Sequence, residues 1–582
     1  MTFSRHFVPG LLASSLFLSP LFSPYLLNPN IVPFYSIPAF ALAAYLICIL
    51  TGSYRYQNIP LTLTLIFFLS IPVLLGSQQL LFAFTLLVMA SVGASVARDI
   101  HEAIYKAFLA SSAVIGLVSL YVWFGYTGGN ALHFGDWALT LDRSRSKMNG
   151  PFANGNILAI VLVCAWVFSV YFWANSRSGK RWTWLTIIFC FWVLIFCTQA
   201  KGAWTAQAII IVSLILAPLW KPRKKELGSL LLAGMLSAAL GNWIYNQNIN
   251  KITEQAHGAP LVQTASHSLA QRITIWKSSW EMWRANPVLG VGSGNFKAHY
   301  LTSQARTLEK NPEMPSMGAT DNAHSVFFHL LAEHGLAGLA LWLVVSGLLL
   351  MLLPRYIQNL HDTRWPAYIS ALVLWLQGHV NISLGFPYPL ILFSLFTGIA
   401  AKPLLSRWTI RVKSWVCVLP ATLVLGLLIQ WAYLSTVHWK EFETWLSLPA
   451  GSKDKGRLAR TLAEDVEVMP FVVESMARDA TNSPDPGPRL IAIRPLILQA
   501  LSLRETPNLF RALFLSYYLE GDWDNACKWE KFIKLQHWKE WPKFPNSLRI
   551  TCSKPEETKK QSSHPGPSGV GHPRLGLHEP LS

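Results

Sequence analysis

Charge is scarce in this sequence. Asp, Glu, Lys and Arg make up 13% of its 582 residues, against about a quarter in an average soluble protein, which argues against a soluble globular chain. No Walker sequence and no glycine-rich strand-turn-helix unit is present, so neither direct use of ATP nor a dinucleotide site is expected. Metal-ligand spacing is missing too. His324, His329 and His334 fall five apart, each turned about 140° from the last on a helix, so they cannot share one metal face. Cysteine is sparse: Cys48, Cys164, Cys190, Cys197 and Cys417 lie inside apolar blocks, where a small buried role is the default. Cys527 and Cys552 remain in the C-terminal region, able to form a disulfide if that region is periplasmic.

What is abundant is apolar: 52% of residues are hydrophobic, gathered into blocks long enough to cross a bilayer as helices, about 20 residues each. Candidate spans lie near residues 8–28, 31–52, 59–76, 79–97, 105–125, 156–174, 182–199, 202–220, 228–246, 335–353, 366–384, 387–401 and 414–436. The first resembles a signal sequence behind Arg5 and is read as a retained anchor. The expected fold is all-α, a polytopic membrane helical bundle of about 13 spans.

The cations set the topology. With Met1 cytoplasmic, the cytoplasmic connections carry Arg55; Arg98 and Lys106; Arg177, Lys180 and Arg181; Lys221, Arg223, Lys224 and Lys225; Arg355 and Arg364; and Lys402, Arg407, Arg411 and Lys413. Alternate short connections carry neither Lys nor Arg, which is the positive-inside pattern. The formal charge of +18 is therefore partly a topology signal, and no nucleic-acid partner is expected.

Residues 126–155, 247–334 and 437–582 fall on the periplasmic side of this scheme. The expected domains are an N-terminal transmembrane bundle (1–246), a large periplasmic catalytic loop (247–334), C-terminal transmembrane helices (335–436), a periplasmic helical domain (437–552) and a disordered tail (553–582). A loop of 247–334 is too long for a simple turn and reads as functional or separately folded. Within it, Gln271–Asn286 has helical spacing, with Trp276, Trp280 and Trp283 on one face, suited to a membrane interface. Pro287 ends that helix, and LGVGSGN (289–295) is expected as a flexible turn. Farther on, LFLSYYLEGDWDNACKWEKFIKL loosely resembles a tetratricopeptide-type hairpin turned at Gly521.

The chemistry-bearing residues gather in the loop. Asp321 precedes His324 by three and is expected to cap the helix that then enters the membrane. A helix N-terminus disfavours imidazolium, leaving His324 able to accept a proton. Arg272 lies in Arg-x-x-x-Trp on the same side, and Lys201 sits at a span mouth in Thr-Gln-Ala-Lys-Gly. Singly, such residues are ordinary capping and headgroup-anchoring groups.

Together they carry a resemblance. The run RITIWKSSWEMWRANPVLGVGSG (272–294), followed by AHSVFFHLLAEHGLAGL, resembles the signature region of the O-antigen ligase and polymerase superfamily. The stretch Asn149-Gly-Pro-Phe-Ala-Asn-Gly-Asn156 and the mouth holding Lys201 also fit it, and the region from about residue 437 is most like the bacterial protein (pilin) O-oligosaccharyltransferase branch. This chain has His324-Ser325 where His-Asn is common, Lys201 where Arg is frequent, Ala153 in place of Gln (leaving Asn156 as the better match), and Gly385 in place of an acid. These differences bear on donor preference more than on reaction type.

The resemblance implies a glycosyltransferase-C-like bundle and transfer of a glycan from undecaprenyl pyrophosphate to a hydroxyl at the periplasmic face of the inner membrane. His324 would be the catalytic base. Arg272, Lys201, Arg284 and Asn156 would bind the donor pyrophosphate, with no metal or other cofactor. A single displacement implies inversion at the anomeric carbon. The C-terminal region favours Ser or Thr of a pilin-like periplasmic protein as acceptor; a ligase or polymerase would use a saccharide hydroxyl instead. A transporter would want charges within spans and paired broken helices, and few mid-span charges are seen.

Overall fold

An apolar backbone in lipid must bond within its own segment, and helix dominates accordingly. The computed structural model describes residues 13–14, 16–20, 32–50, 56–60, 79–96, 98–124, 132–134, 137–139, 148–152, 154–216, 224–255, 265–357, 359–405, 409–448, 453–462 and 468–536. Most of the expected spans near 8–28 and 59–76, together with Cys552 and the tail from 553, lie outside the described residues.

The helices are α1 (Val32–Leu50), α2 (Gln79–Ser95), α3 (Arg98–Phe124), α4 (Gly155–Asn175), α5 (Ser178–Cys197), α6 (Lys201–Leu216), α7 (Lys224–Gln255), α8 (Ala265–Ala285) and α9 (Phe296–Lys310). They continue with α10 (Val326–Ile357), α11 (Trp365–Val380), α12 (Pro387–Leu405) and α13 (Val418–Ser447). Five more close the described chain: α14 (Lys453–Leu462), α15 (Met469–Thr481), α16 (Pro486–Leu503), α17 (Pro507–Glu520) and α18 (Trp523–Leu535). Among the described residues four short strands, β1 (Tyr56–Pro60), β2 (Leu132–Phe134), β3 (Trp137–Leu139) and β4 (Thr409–Lys413), depart from the helical pattern. They form two antiparallel ribbons, β1 with β4 and β2 with β3.

Among the described residues, six helical stretches are long and apolar enough to cross a membrane: Ile100–Phe124, Gly155–Asn175, Gly179–Cys197, Leu227–Asn250, Val326–Tyr356 and Trp415–Ser447. The chain is thus a mostly helical, multi-pass membrane protein. The spans expected near 31–52, 79–97, 202–220, 366–384 and 387–401 fall on α1, α2, α6, α11 and α12.

The chain divides into two units. The first comprises Met1–Ser268, Trp283–Gly294 and Asn322–Lys440. Its centre is α4, buried along its membrane-crossing length and packed by α3, α5, α6 and α11. A helix apolar all round is one that other helices surround. Where α2 crosses α12, glycines let the backbones touch: a Cβ at Gly398 would run into the Ala90 carbonyl, and one at Gly93 into that of Leu395. Close approach through small residues is the usual packing device of helices in lipid.

Contacts sort the connections of this unit to the two ends of its helices. At one end, β1 pairs with β4, Lys402 Nζ donates to the Val96 carbonyl at 2.7 Å, Tyr105 donates to Thr363 O at 2.9 Å, and His361 Nδ1 lies 2.5 Å from Asn175 Oδ1. This end gathers Arg98, Arg177, Arg364 and Lys402. The opposite ends of α4 and α11 carry the turns described below.

The second unit comprises Leu269–Met282, Asn295–Asp321 and Glu441–Ser582. Helix α9 of the large loop and the C-terminal helices are therefore one body. Helices α15 to α18 pack consecutively. Thr506 caps α17, Gly521 ends it in the left-handed conformation (φ 86°), and Asp522 caps α18, so the hairpin expected at Gly521 is present. Cys527 is disulfide-bonded. At the corner between α16 and α17, Glu505 is buried. It accepts the Thr302 amide at 2.9 Å and the Thr302 hydroxyl, and its own N–H donates to Lys297 O at 3.0 Å. Burial pushes this carboxyl up to about 7, against the pull of the Thr302 hydrogen bonds.

Two predictions follow from this packing. Gly398→Leu should force α2 and α12 apart and lower the melting temperature of the detergent-solubilised protein by about 5 °C or more. The second concerns pH. Folding holds the Glu505 proton more tightly than the unfolded chain, whose carboxyl sits at 4.5. Its stabilisation is complete below that value and is lost as pH rises through about 7. Glu505→Gln stays neutral, so its melting temperature relative to the native protein should rise between about pH 5 and about pH 8.

Candidate functional site

Three turns from distant parts of the sequence meet at the end of the first unit away from the clustered cations. In the first turn, Asn154 caps α4 by accepting the Asn156 N–H at 2.9 Å, placing Asn156, half-buried, in the opening turn of the helix. A Cβ on the neighbouring Gly155 would lie 3.4 Å from the Thr198 carbonyl, so this turn rests on the one joining α5 to α6. That second turn passes through Gln199 in the left-handed conformation (φ 53°). Gln199 Nε2 donates to Phe196 O and to Asn242 Oδ1 of α7, each at 3.0 Å. Lys201 follows as the first residue of α6, exposed.

The chain of contacts continues into α11. Gly202 packs on the Gln377 side chain, with a Cβ there falling 2.5 Å from the amide nitrogen. Next to Gln377, a Cβ on Gly378 would lie 3.3 Å from Val326 Cγ2, and Val326 is the first residue of α10. Asn156, Lys201 and the entry to α10, where His324 lies, thus share one neighbourhood.

His324 is half-buried, has φ 49°, and donates its backbone N–H to Asn322 Oδ1 at 3.1 Å. Among the described residues, Gln199 and His324 are the two non-glycine residues with positive φ. Such conformations cost energy and cluster at functional sites. Both fall here. The expected cap does not: the Ser325 carbonyl accepts the His329 N–H at 2.9 Å, while Asp321 pairs with Arg504 at 3.0 and 3.1 Å. The Arg504 guanidinium outbids a helix terminus four residues away.

The glycine-rich run 289–295 is not a flexible turn. Helix α10 is broken at Gly335 (φ 58°, ψ −150°), a conformation that essentially glycine alone adopts. The run seats in the break. Val291 N–H donates to Ala332 O and Gly292 N–H to Glu333 O, both at 2.9 Å, and Leu336 N–H reaches Pro287 O at 2.9 Å. Gly294 N–H donates to Glu333 Oε2 at 3.0 Å. These amides are turned inward to α10 and are not offered to a ligand.

The two arginines expected to bind the donor lie on α8. Arg284 is exposed in its last turn, three residues before Pro287. Arg272 belongs to the second unit. It is half-buried, and burial pulls its guanidinium below the ordinary value without discharging it near neutrality. Twelve residues of helix separate the two by about 18 Å and about 120° of rotation, so α8 does not itself bring them together. The buried face of α8 is Thr274, Ile275, Ser278, Ser279 and Met282, while Trp280 is 43% exposed and Trp276 and Trp283 are half-buried. The tryptophan stripe thus points away from the packed face.

Sequence reasoning missed Gln199, Gln377 and Glu333. The first two carry no local signal, because their roles come from partners on other helices. Glu333 was visible as an acid in an apolar run. His329 Nε2 and His334 Nε2 stand 3.6 and 3.9 Å from its carboxylate, with Glu333 between them in sequence and His324 outside the helix.

No curated protein matches the chain. The family model described as O-antigen ligase matches residues 185–343, a segment that takes in Lys201, Arg272, Arg284 and His324 but not Asn156. Over that segment, just over a quarter of its length, this multi-pass membrane chain is similar to the O-antigen ligase family.

Proposed function

We propose that the chain is a protein O-oligosaccharyltransferase that moves a glycan from undecaprenyl pyrophosphate to Ser or Thr of a pilin-like protein. The observation that carries the reading is the convergence of His324, in its left-handed turn, with the Lys201 and Asn156 turns. The clustered cations at the other end of the helices would mark the cytoplasmic side of a bacterial inner membrane. The site then faces the periplasm, where a disulfide at Cys527 is at home.

In the reaction, an imidazole nitrogen of His324 takes the proton of the acceptor hydroxyl. The freed oxygen attacks the anomeric carbon as the bond to the pyrophosphate oxygen breaks. The electron pair leaves with undecaprenyl pyrophosphate, whose charge is met by Arg272 and Lys201, with Asn156 a neutral donor. Fixed cations in a partly dry site are the larger contribution; the base adds about 10²–10⁴-fold. Arg284, far along α8 from Arg272, is assigned to the rim of the donor site. One displacement inverts the anomeric centre, and the protein cations do the work a metal would otherwise do. The second unit, built from loop and C-terminal helices together, offers a surface for a folded acceptor.

A second reading, an O-antigen ligase or polymerase with a saccharide acceptor, is equally compatible with the matching family. The deciding measurement is the intact mass of a pilin-like acceptor co-expressed with a lipid-linked glycan pathway. The native chain should add one glycan mass, and His324→Ala should add none. Arg272→Ala should cut the rate by roughly 10²–10³, with Arg272→Lys recovering part, since Lys lacks the bidentate fork. An unmodified acceptor, with surface O-antigen restored in ligase-deficient cells, would sink the first reading in favour of the second.

A further inference from the structure

Glu333 is the one acidic residue between Asp321 and Asp362, and it lies in a stretch long and apolar enough to cross a membrane. It is 3% exposed. A carboxylate in such a place is costly to keep unless paired, and an ionisable residue there calls for a functional account. Its partners are specific. Oε2 accepts the Gly294 N–H at 3.0 Å, and the His329 and His334 rings face the same oxygen at 3.6 and 3.9 Å. The run 287–294 is also bonded to α10 backbone to backbone: Val291 to Ala332, Gly292 to Glu333, Leu336 to Pro287 and Ala337 to Val288. Two of the glycines are required by the same fit. A Cβ at Gly290 would strike the Ala332 carbonyl, and one at Gly335 the Val288 carbonyl.

The segment of α10 before its break begins at Val326, directly behind His324 and Ser325, and runs to His334, about 13 Å of helix. Arg284 enters at the far end of that segment, because Pro287 and Val288 are bonded to Leu336 and Ala337. The seat of the run therefore sets how far Arg284 stands from His324. We propose that Glu333 is a positioning residue, holding the run Pro287–Gly294 in the break of α10 by its bond to the Gly294 amide and thereby fixing Arg284 relative to His324. Its catalytic consequence rests on the glycan transfer read above; the seating of the run does not.

Two variants separate reach from charge. Glu333→Gln keeps the length and an oxygen acceptor for the Gly294 amide but drops the charge. Glu333→Asp keeps the charge and is one methylene too short. Amide hydrogen exchange of the 287–294 segment in the purified full-length protein, with melting temperature measured alongside, reads the seat directly. Glu333→Gln should leave exchange within about twofold of native and retain most of the transfer rate. Glu333→Asp should speed exchange at Gly292–Gly294 by about tenfold or more and cut transfer by about tenfold, with a melting temperature close to that of the Gln variant. The opposite ranking, Asp tolerated and Gln not, would overturn the proposal in favour of a role for the charge. Native-like exchange in both variants would overturn it as well. If the native protein transfers no glycan, the functional reading falls, and the exchange ranking still decides whether Glu333 seats the run.

Discussion

The break of α10 at Gly335 is the constraint on which the rest of the candidate site depends. A helix interrupted within an apolar stretch leaves carbonyls before the break and amides after it without their usual partners, and lipid offers none. Here the missing partners come from a second strand of backbone. The run Pro287–Gly294 supplies amides to Ala332 and Glu333 and carbonyls to Leu336 and Ala337. The interruption is thereby turned into a joint between two chain segments. Remove the glycines and neither side of it can close, because Gly290 and Gly335 each lie against the other segment's carbonyls. The short segment ahead of the break carries its N-terminus, and with it His324, toward the turns that hold Lys201 and Asn156.

Polar groups are distributed unevenly along the first unit. One end holds basic residues tied to carbonyls and to a local carboxylate, as with Lys402 on Val96 O and Arg364 on Asp362 at 2.7 Å. The other holds strained turns, amide side chains and a histidine. Side-chain amides such as Gln199, bridging to Asn242, and Gln377, against Gly202, fix geometry there without spending charge. A site for the polyanionic donor proposed above would benefit from this arrangement, since fixed dipoles and a few cations stabilise developing charge without reorganising.

Much of this was legible in the sequence, for reasons particular residues make plain. Long apolar blocks can only be helices in lipid, so the residues of α4, α5 and α10 announced themselves. Gly521 between two amphipathic runs marked a turn, and a left-handed cap stands there. The tryptophan stripe of α8 could be read as outward because the opposite face offers Thr274, Ile275 and Met282 for burial. What could not be read was long-range. Asp321 has the spacing of a cap, and only Arg504, far along the chain, explains why it is not one. LGVGSGN looks like a flexible turn because nothing local reveals that another helix is broken to receive it. The positive φ of Gln199 and His324 likewise has no local signature, since neither is the glycine or asparagine that usually marks such a turn.

The ribbon of β1 and β4 has a consequence for how the chain is made. Its register joins Tyr56 to Lys413 and Pro60 to Thr409, so the second strand emerges only after about 350 further residues have been synthesised, a wait of roughly 20 to 70 seconds at ordinary elongation rates. For that interval the first strand is an open edge, competent to pair with whatever extended segment comes near. Closure of the ribbon comes late in the birth of the bundle and ties its earliest described helices to its last ones. It acts as a fastener set after the intervening helices are in place, and it leaves the nascent protein dependent on its surroundings to shield that edge in the meantime.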